Sequence, residues 1–321
     1  MAKQKYKTTV TRQLKDEAKS FFKHYENNKT RSRYTKNYCQ YITYCRSEFN
    51  CKTKDDCSDH VQEYEQYLVS QGYSASTIHN RLVPVCLYHD IPLESIEKPK
   101  RITSHYKRGR TGSTAMTSNS DMNNPRYSRS VEFQRRVGIR RNELMHLTVD
   151  DLVTDESGYT CVRVKKGKGG KIQLQRILPS DIEFIKSYFI ETNSKFVFEK
   201  KEISSNNVSY HTIRAQQAQR AYQYYYDKIN GINGEEYRKQ LTKEIQARAK
   251  IYRINKKTGK PIPLPQRELE GDYWLRGLNK QFALVNNLPI KYDRLAVMAT
   301  SVFHLSHWRC DVTIASYLLA I

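Results

Sequence analysis

No run of about 18 apolar residues, the length a helix needs to cross a bilayer, occurs in this sequence, so no membrane span is expected. The opening residues, MAKQKYKTTVTRQ, are charged and lack the apolar stretch of a secretory leader, which points to the cytoplasm. Acidic residues are scarce: 33 Asp and Glu stand against 55 Lys and Arg in 321 residues, a net charge of +22. A field of that sign draws polyanions, and nucleic acid is the leading partner. Paired CxxC spacings of the zinc-ribbon kind are missing as well. Among seven cysteines, Cys39, Cys45, Cys51 and Cys57 recur every six residues, and Cys57 with His60 would make only half a metal site. Reduced thiols are the expectation, with no metal and no cofactor.

A chain of this length has room for two domains. Residues 11–91 carry apolar and aromatic positions at three- and four-residue steps: Leu14, Ala18, Phe21 and Phe22, then Tyr34, Tyr38, Tyr41, Ile42 and Cys45. Gly72 ends a third helix, SDHVQEYEQYLVSQG. A Ser/Thr-rich cap opens a fourth, which Pro84 should kink or shorten. Four helices make a small bundle. The domains expected are a helical unit at 1–97, a basic and then Ser/Asn-rich linker at 98–126, and a second domain at 127–321. The fold class is mainly α with a small β-hairpin: YTCVRV and KIQLQRIL flank a Lys/Gly turn.

Four patches in the second domain carry chemistry: GIRRNEL with Arg140 and Glu143, GKGGK with Lys168, HTIR with His211 and Arg214, and LSHWRCDVTIASY with His307 and Tyr317. Each is weak alone. Their order, with Tyr317 ten residues after His307, resembles the tyrosine recombinase (integrase) family. There an Arg lies in G-L-R-x-x-E-L, a Lys in G-K-G-x-K, an H-x-L-R helix follows, and an L-G-H box precedes the tyrosine. GYSASTIHNRL, with Arg81, is similar to a helix of that family's core-binding domain.

The resemblance implies a two-domain DNA clamp, a helical core-binding unit plus a catalytic domain, that cuts and rejoins duplex DNA through a 3′-phosphotyrosine. Arg140 and Arg214 would hold the scissile phosphate, two guanidiniums suited to its non-bridging oxygens. Glu143 would orient Arg140, and Tyr317 would attack. Lys168 would protonate the leaving 5′-oxygen, His211 would help deprotonate Tyr317, and His307 would hydrogen-bond the phosphate. Ester exchange needs no ATP, in keeping with the lack of a Walker A motif or a clear carboxylate cluster. Lys107, Arg108, Arg110, Arg141 and Lys171 join Arg81 as backbone-contact candidates. The partners implied are attachment-site DNA, accessory bending or directionality proteins, and three further protomers in a tetramer on DNA. The free protein would be a monomer, nucleoid-associated when bound. A mobile-element integrase is preferred to a chromosome-dimer resolvase. A type IB topoisomerase and a decayed integrase acting only as a DNA binder are the alternatives.

Three departures stand out. Ala215 replaces a histidine that often follows the H-x-x-R arginine, and Ser306 replaces the glycine before His307. The stretch from Arg214 to His307 is longer than the few tens of residues simple members need, so residues 227–290 read as an insertion, with an exposed amphipathic helix over EEYRKQLTKEIQARAKIYR and a role in DNA or protomer contact. Beyond Tyr317 come Leu318, Leu319, Ala320 and Ile321, whose burial at roughly 1.5–3 kcal/mol for each large side chain favours docking in an apolar groove of the same chain. His146, His304 and the tyrosines at 222 and 224–226 read as structural.

Overall fold

The computed structural model describes residues 9–100, 121–165, 167, 172–190, 194–255 and 258–319. The chain is mainly helical with small antiparallel sheets, and it divides into two compact units, Met1–Thr103 and Ser104–Ile321. No helix among the described residues is long and apolar enough to cross a membrane.

The first unit holds α1 (Val10–Phe21), α2 (Asn28–Glu48), α3 (Lys54–Ser58), α4 (Val61–Ser70) and α5 (Ala75–His89). The side chains of Thr9, Asn27 and Ser74 cap the starts of α1, α2 and α5 by accepting backbone N–H bonds. Gly72, at φ +72°, closes the turn after α4. The core is unusually aromatic: Phe22, Tyr38, Tyr41, Tyr64 and Tyr88 pack with Leu14, Leu68, Ile78 and Leu82. Sequence reasoning missed the short α3. It also expected Pro84 to kink or shorten the fourth helix; α5 continues through it to His89. Pro84 has no N–H to give to the carbonyl of Asn80, four residues back. The side-chain amide of Asn37 on α2 donates to that carbonyl at 2.9 Å, so a neighbouring helix satisfies the acceptor the proline orphans.

The second unit begins with α6 (Ser128–Val137) and the single turn α7 (Arg141–Leu144). An antiparallel sheet of β1 (Leu152–Thr154), β2 (Thr160–Val164) and β3 (Gln173–Arg176) follows in that order. β2 and β3 pair from Cys161↔Arg176 to Val164↔Gln173, so the expected hairpin is present. Then come α8 (Ile182–Ile190), α9 (Lys200–Ser204), α10 (Tyr210–Ile229) and α11 (Gly234–Tyr252). A two-stranded sheet, β4 (Asp272–Trp274) with β5 (Lys291–Asp293), flanks α12 (Gly277–Val285). The chain finishes with α13 (Arg294–Thr300), a π-helical turn at Ser301–Leu305, α14 (Cys310–Thr313) and a second π turn at Ile314–Leu318.

The segment read as an insertion is not an appendage. Leu241, Ile245, Leu269, Leu275 and Phe282 share one apolar core with Tyr225, Phe303, Ile314, Leu318 and Leu319. The helix expected to be exposed is therefore half sunk, because its apolar stripe is wide enough to face α10 and α13. Two of its basic residues are spent internally. Arg248 donates to the Leu174 carbonyl at 2.8 Å and is 2% exposed, and Arg238 pairs with Asp293 at 2.8 Å. Beside it Arg176 is buried between the Tyr159 and Phe303 rings, with Asp155 and Glu244 each at 2.7 Å. Burial alone would lower the Arg176 guanidinium, but Tyr225 and then Glu244 and Asp155 hold it above its usual range. Leu318 and Leu319 dock within their own chain, as the apolar end of the sequence led one to expect; Ala320 and Ile321 lie outside the described residues.

Candidate active site

Two backbone turns converge on one buried arginine. α6 ends on Gly138, whose φ of +69° suits glycine. A Cβ there would also come within 2.9 Å of Gln217 Oε1 and 3.2 Å of its Cβ, so a larger residue would require the Gln217 side chain on α10 to shift. That turn aims the Gly138 carbonyl at Arg214, whose Nη1 donates to it. Arg214 Nη2 donates to the Leu305 carbonyl at 2.9 Å. Arg214 thus ties the GIRRNEL, HTIR and LSH segments together at 1% exposure. Its Nε has no partner, and it makes no ion pair with a carboxylate among the described residues. Burial holds its pKa below the ordinary arginine value and the Arg140 charge adds to that, while Tyr317 and Glu143 pull it back up. A guanidinium in that position is short of negative charge.

Arg140 sits at the start of α7. Its Nη1 donates to Glu143 Oε1 at 2.6 Å, and its backbone N–H donates to Glu143 Oε2 at 2.8 Å. Glu143 is buried, so the carboxylate both caps the turn and fixes the direction of a guanidinium whose side chain stays 26% exposed. This is the orienting contact the three-residue spacing suggested.

Tyr317 lies in the second π turn and is 5% exposed, its ring cradled by Ala215, Ala218 and Leu305. Ala215 thus fills with a methyl group the place where a larger residue would crowd the phenol. The Arg214 Cζ stands 5.8 Å from the ring centroid. The hydroxyl and His307 Nε2 are 3.0 Å apart. His211 meets the Tyr317 ring edge-on, centroids 5.4 Å apart. The sequence reading gave the tyrosine proton to His211 and the phosphate to His307. In the structure both imidazoles contact Tyr317, His307 through Nε2 at the hydroxyl and His211 against the ring.

The backbone around His307 is strained. Ser306 and Trp308 both have positive φ, 56° and 58°, in the left-handed region that non-glycine residues avoid. The His307 N–H donates to the Ser301 carbonyl at 3.0 Å and Arg309 N–H to Ser301 Oγ at 3.2 Å, which hold the turn in place. π turns carry extra residues per turn and concentrate at working sites. Here one precedes His307 and the other contains Tyr317.

Lys168, Lys171, Lys107, Arg108 and Arg110 lie outside the described residues. Arg141 turns away from Arg140: its guanidinium donates to the Ile203 carbonyl at 3.0 and 2.6 Å and to Asn206 Oδ1 at 3.2 Å, and so serves the fold. Arg81, in the first unit, stacks over Tyr73 at 4.0 Å. His304, read as structural, is fully buried; Gln217 Nε2 is 3.1 Å from its Nδ1 and Tyr225 Oη 3.2 Å from its Nε2. Burial, and then the charges of Arg176, Arg248, Arg214 and Arg220, press its pKa down to about 3. Sequence reasoning missed this Gln217–His304–Tyr225 set and Gln219, whose amide donates to the Tyr317 and Leu318 carbonyls at 3.4 Å. The three- and four-residue steps from Arg214 through Gln217 and Ala221 to Tyr225 were the available signal.

No protein-family profile matches the chain, and no curated protein matches it. Among solved structures, the crystal structure of XerA recombinase aligns with 65% of this chain and 84% of its own, at 16% identity and a TM-score of 0.23.

Proposed function

We propose that the protein is a DNA strand-transferring enzyme, a site-specific recombinase that uses Tyr317 as nucleophile. One observation carries the reading: a tyrosine hydroxyl hydrogen-bonded to an imidazole lies beside a buried guanidinium that has no carboxylate partner among the described residues. A phosphodiester placed against Arg214 and Arg140 supplies the missing negative charge, and two guanidiniums stabilise the extra charge of a pentacoordinate phosphorus. The Tyr317 oxygen attacks phosphorus as its proton passes to His307, the P–O5′ bond breaks, and the leaving 5′-oxygen takes a proton from Lys168. The product is a 3′-phosphotyrosyl ester and a free 5′-hydroxyl. Attack by a 5′-hydroxyl of a second strand reverses these steps and restores the tyrosine, so the energy of the ester is kept.

The partner in this reading is duplex DNA. The helical first unit, with Arg81, forms one jaw of a clamp and the second unit the other, four protomers assemble for exchange, and the basic 98–126 linker lies along the backbone. The test uses a library of nicked duplexes, denatured in SDS after incubation. Wild-type chain should form an adduct resistant to denaturation, and Tyr317→Phe should form none while retarding DNA to nearly the same degree. An adduct in Tyr317→Phe sinks the assignment. Supercoil relaxation by a monomer without exchange would place the same chemistry in a topoisomerase.

A further inference from the structure

The first unit contains a group that DNA chemistry does not use. Cys45, Cys51 and Cys57 are all buried, and their sulfurs lie within 4.8 Å of one another. Cys45 is in the last turn of α2, Cys51 in the loop that follows, and Cys57 in α3. We propose that these three cysteines form a binding site for a thiophilic d¹⁰ cation, zinc(II) in the first instance, held by three thiolates.

Packing alone does not account for the arrangement. A buried cysteine behaves as a small apolar side chain and is content against carbon. Here three of the seven cysteines meet one another instead, from three separate backbone segments. A tetrahedral zinc site with Zn–S bonds near 2.3 Å sets its sulfurs about 3.8 Å apart. Closing the trio onto an ion therefore takes a contraction of about 1 Å or less, within reach of side-chain rotation.

The loop is also built beforehand. Asn50 takes a left-handed φ of 54°, and the Cys51 N–H donates to the Cys45 carbonyl at 3.3 Å, which folds the loop back on the helix end. Thr53 and Asp56 form a reciprocal capping box that starts α3, and Asp56 Oδ2 also accepts the Lys52 N–H at 2.8 Å. Charge is provided for as well. Binding replaces three S–H protons by one dication and leaves one net negative charge in the core. Arg46 Nη1 donates to the Cys51 carbonyl at 2.6 Å and to that of Asn50 at 3.0 Å, and so places a cation beside the cluster. Cysteine binds a metal as the thiolate, so loading the site must release protons. A fourth position is left to water.

The full chain, reduced and stripped of metal under anaerobic conditions, is titrated with zinc(II) and separately with cobalt(II). The expected result is one equivalent bound, intense thiolate-to-cobalt charge-transfer absorption, about three protons released per ion, and a raised unfolding midpoint for the first unit. Cys45→Ala, Cys51→Ala and Cys57→Ala should each weaken binding by at least 100-fold, while Cys39→Ala and Cys161→Ala should leave it unchanged. Should the core variants fail to fold, X-ray absorption on the zinc-loaded wild-type chain answers without them: three sulfur neighbours near 2.3 Å are expected. No uptake by the reduced protein, or a coordination shell with fewer than three sulfurs, overturns the proposal.

Discussion

Ser306 shows how single residues carry cost at this site. It occupies a left-handed conformation that disfavours any side chain by about 1–2 kcal/mol. Ser306→Gly removes that cost but frees the unfolded chain by about 0.5–1 kcal/mol. A net gain of about 0.5–1 kcal/mol is expected, measurable as a higher urea midpoint at unchanged slope; a loss would mean that the Ser306 side chain makes a contact worth more than the strain. His304 sets a pH dependence. Its folded pKa of about 3 lies below the ordinary histidine value of 6.5, so the unfolded chain takes up a proton there more readily. Its contribution to stability is therefore complete above pH 6.5 and lost as pH falls from there towards 3. His89 in the first unit, lowered to about 4 by burial and then by Lys54, acts in the same direction. Unfolding free energy measured from pH 7 to 4 should fall with acid in the wild type, and the slope should flatten in His304→Gln even though that variant is less stable at pH 7. An unchanged slope would mean the imidazole is already charged in the fold.

At the scale of elements, α11 is the informative one. Its composition is that of a solvated helix, GEEYRKQLTKEIQARAKIY, yet Leu241 and Ile245 sit in the core that also receives Leu318 and Leu319, next to the nucleophile. Ile245→Ala should therefore cost about 2–5 kcal/mol, the range for truncating a fully buried aliphatic side chain. Chemical denaturation checks it, and a cost below 1 kcal/mol would return the helix to the surface. α11 also borders the buried Arg176, which leans on Glu244 and on Asp155 of the loop after β1. Through these contacts the segment between Arg214 and His307 braces the base of the β2–β3 hairpin.

For the whole molecule, the charge of +22 makes the central statement. If the chain grips duplex DNA along its backbone, binding must release condensed counterions, and affinity must fall linearly on a log–log plot against salt with a slope of about −0.9 for each phosphate contacted. A footprint of six to ten phosphates would lose about 10³–10⁵ in affinity between 50 and 200 mM salt. Fluorescence anisotropy on a labelled duplex measures it. A slope shallower than about −3 would be too weak for a chain that embraces a duplex.

The sequence by itself determined the helical periodicity of both units, the capped helix starts, the β2–β3 hairpin and the order of Arg140, His211, Arg214, His307 and Tyr317. These are local properties: they depend on side-chain spacing, on cap chemistry at helix ends and on turn residues. Even the Glu143–Arg140 contact was legible, because three residues is one helical turn. Other features were decided only by tertiary structure, since they join parts of the chain remote in sequence. Asn37 rescues the carbonyl that Pro84 orphans. Gln217 packs close against the turn at Gly138. Arg214 closes on two carbonyls from different turns, and the phenol of Tyr317 meets both the Nε2 of His307 and the ring of His211. α11 is buried although its composition is that of a surface helix. The six-residue cysteine spacing looked inert as a pattern. It becomes a cluster because the chain reverses at Asn50 and restarts at Thr53, which brings Cys45, Cys51 and Cys57 to one point in the core. Spacing sets which residues share a helix face; it cannot say which faces a folded chain will press together.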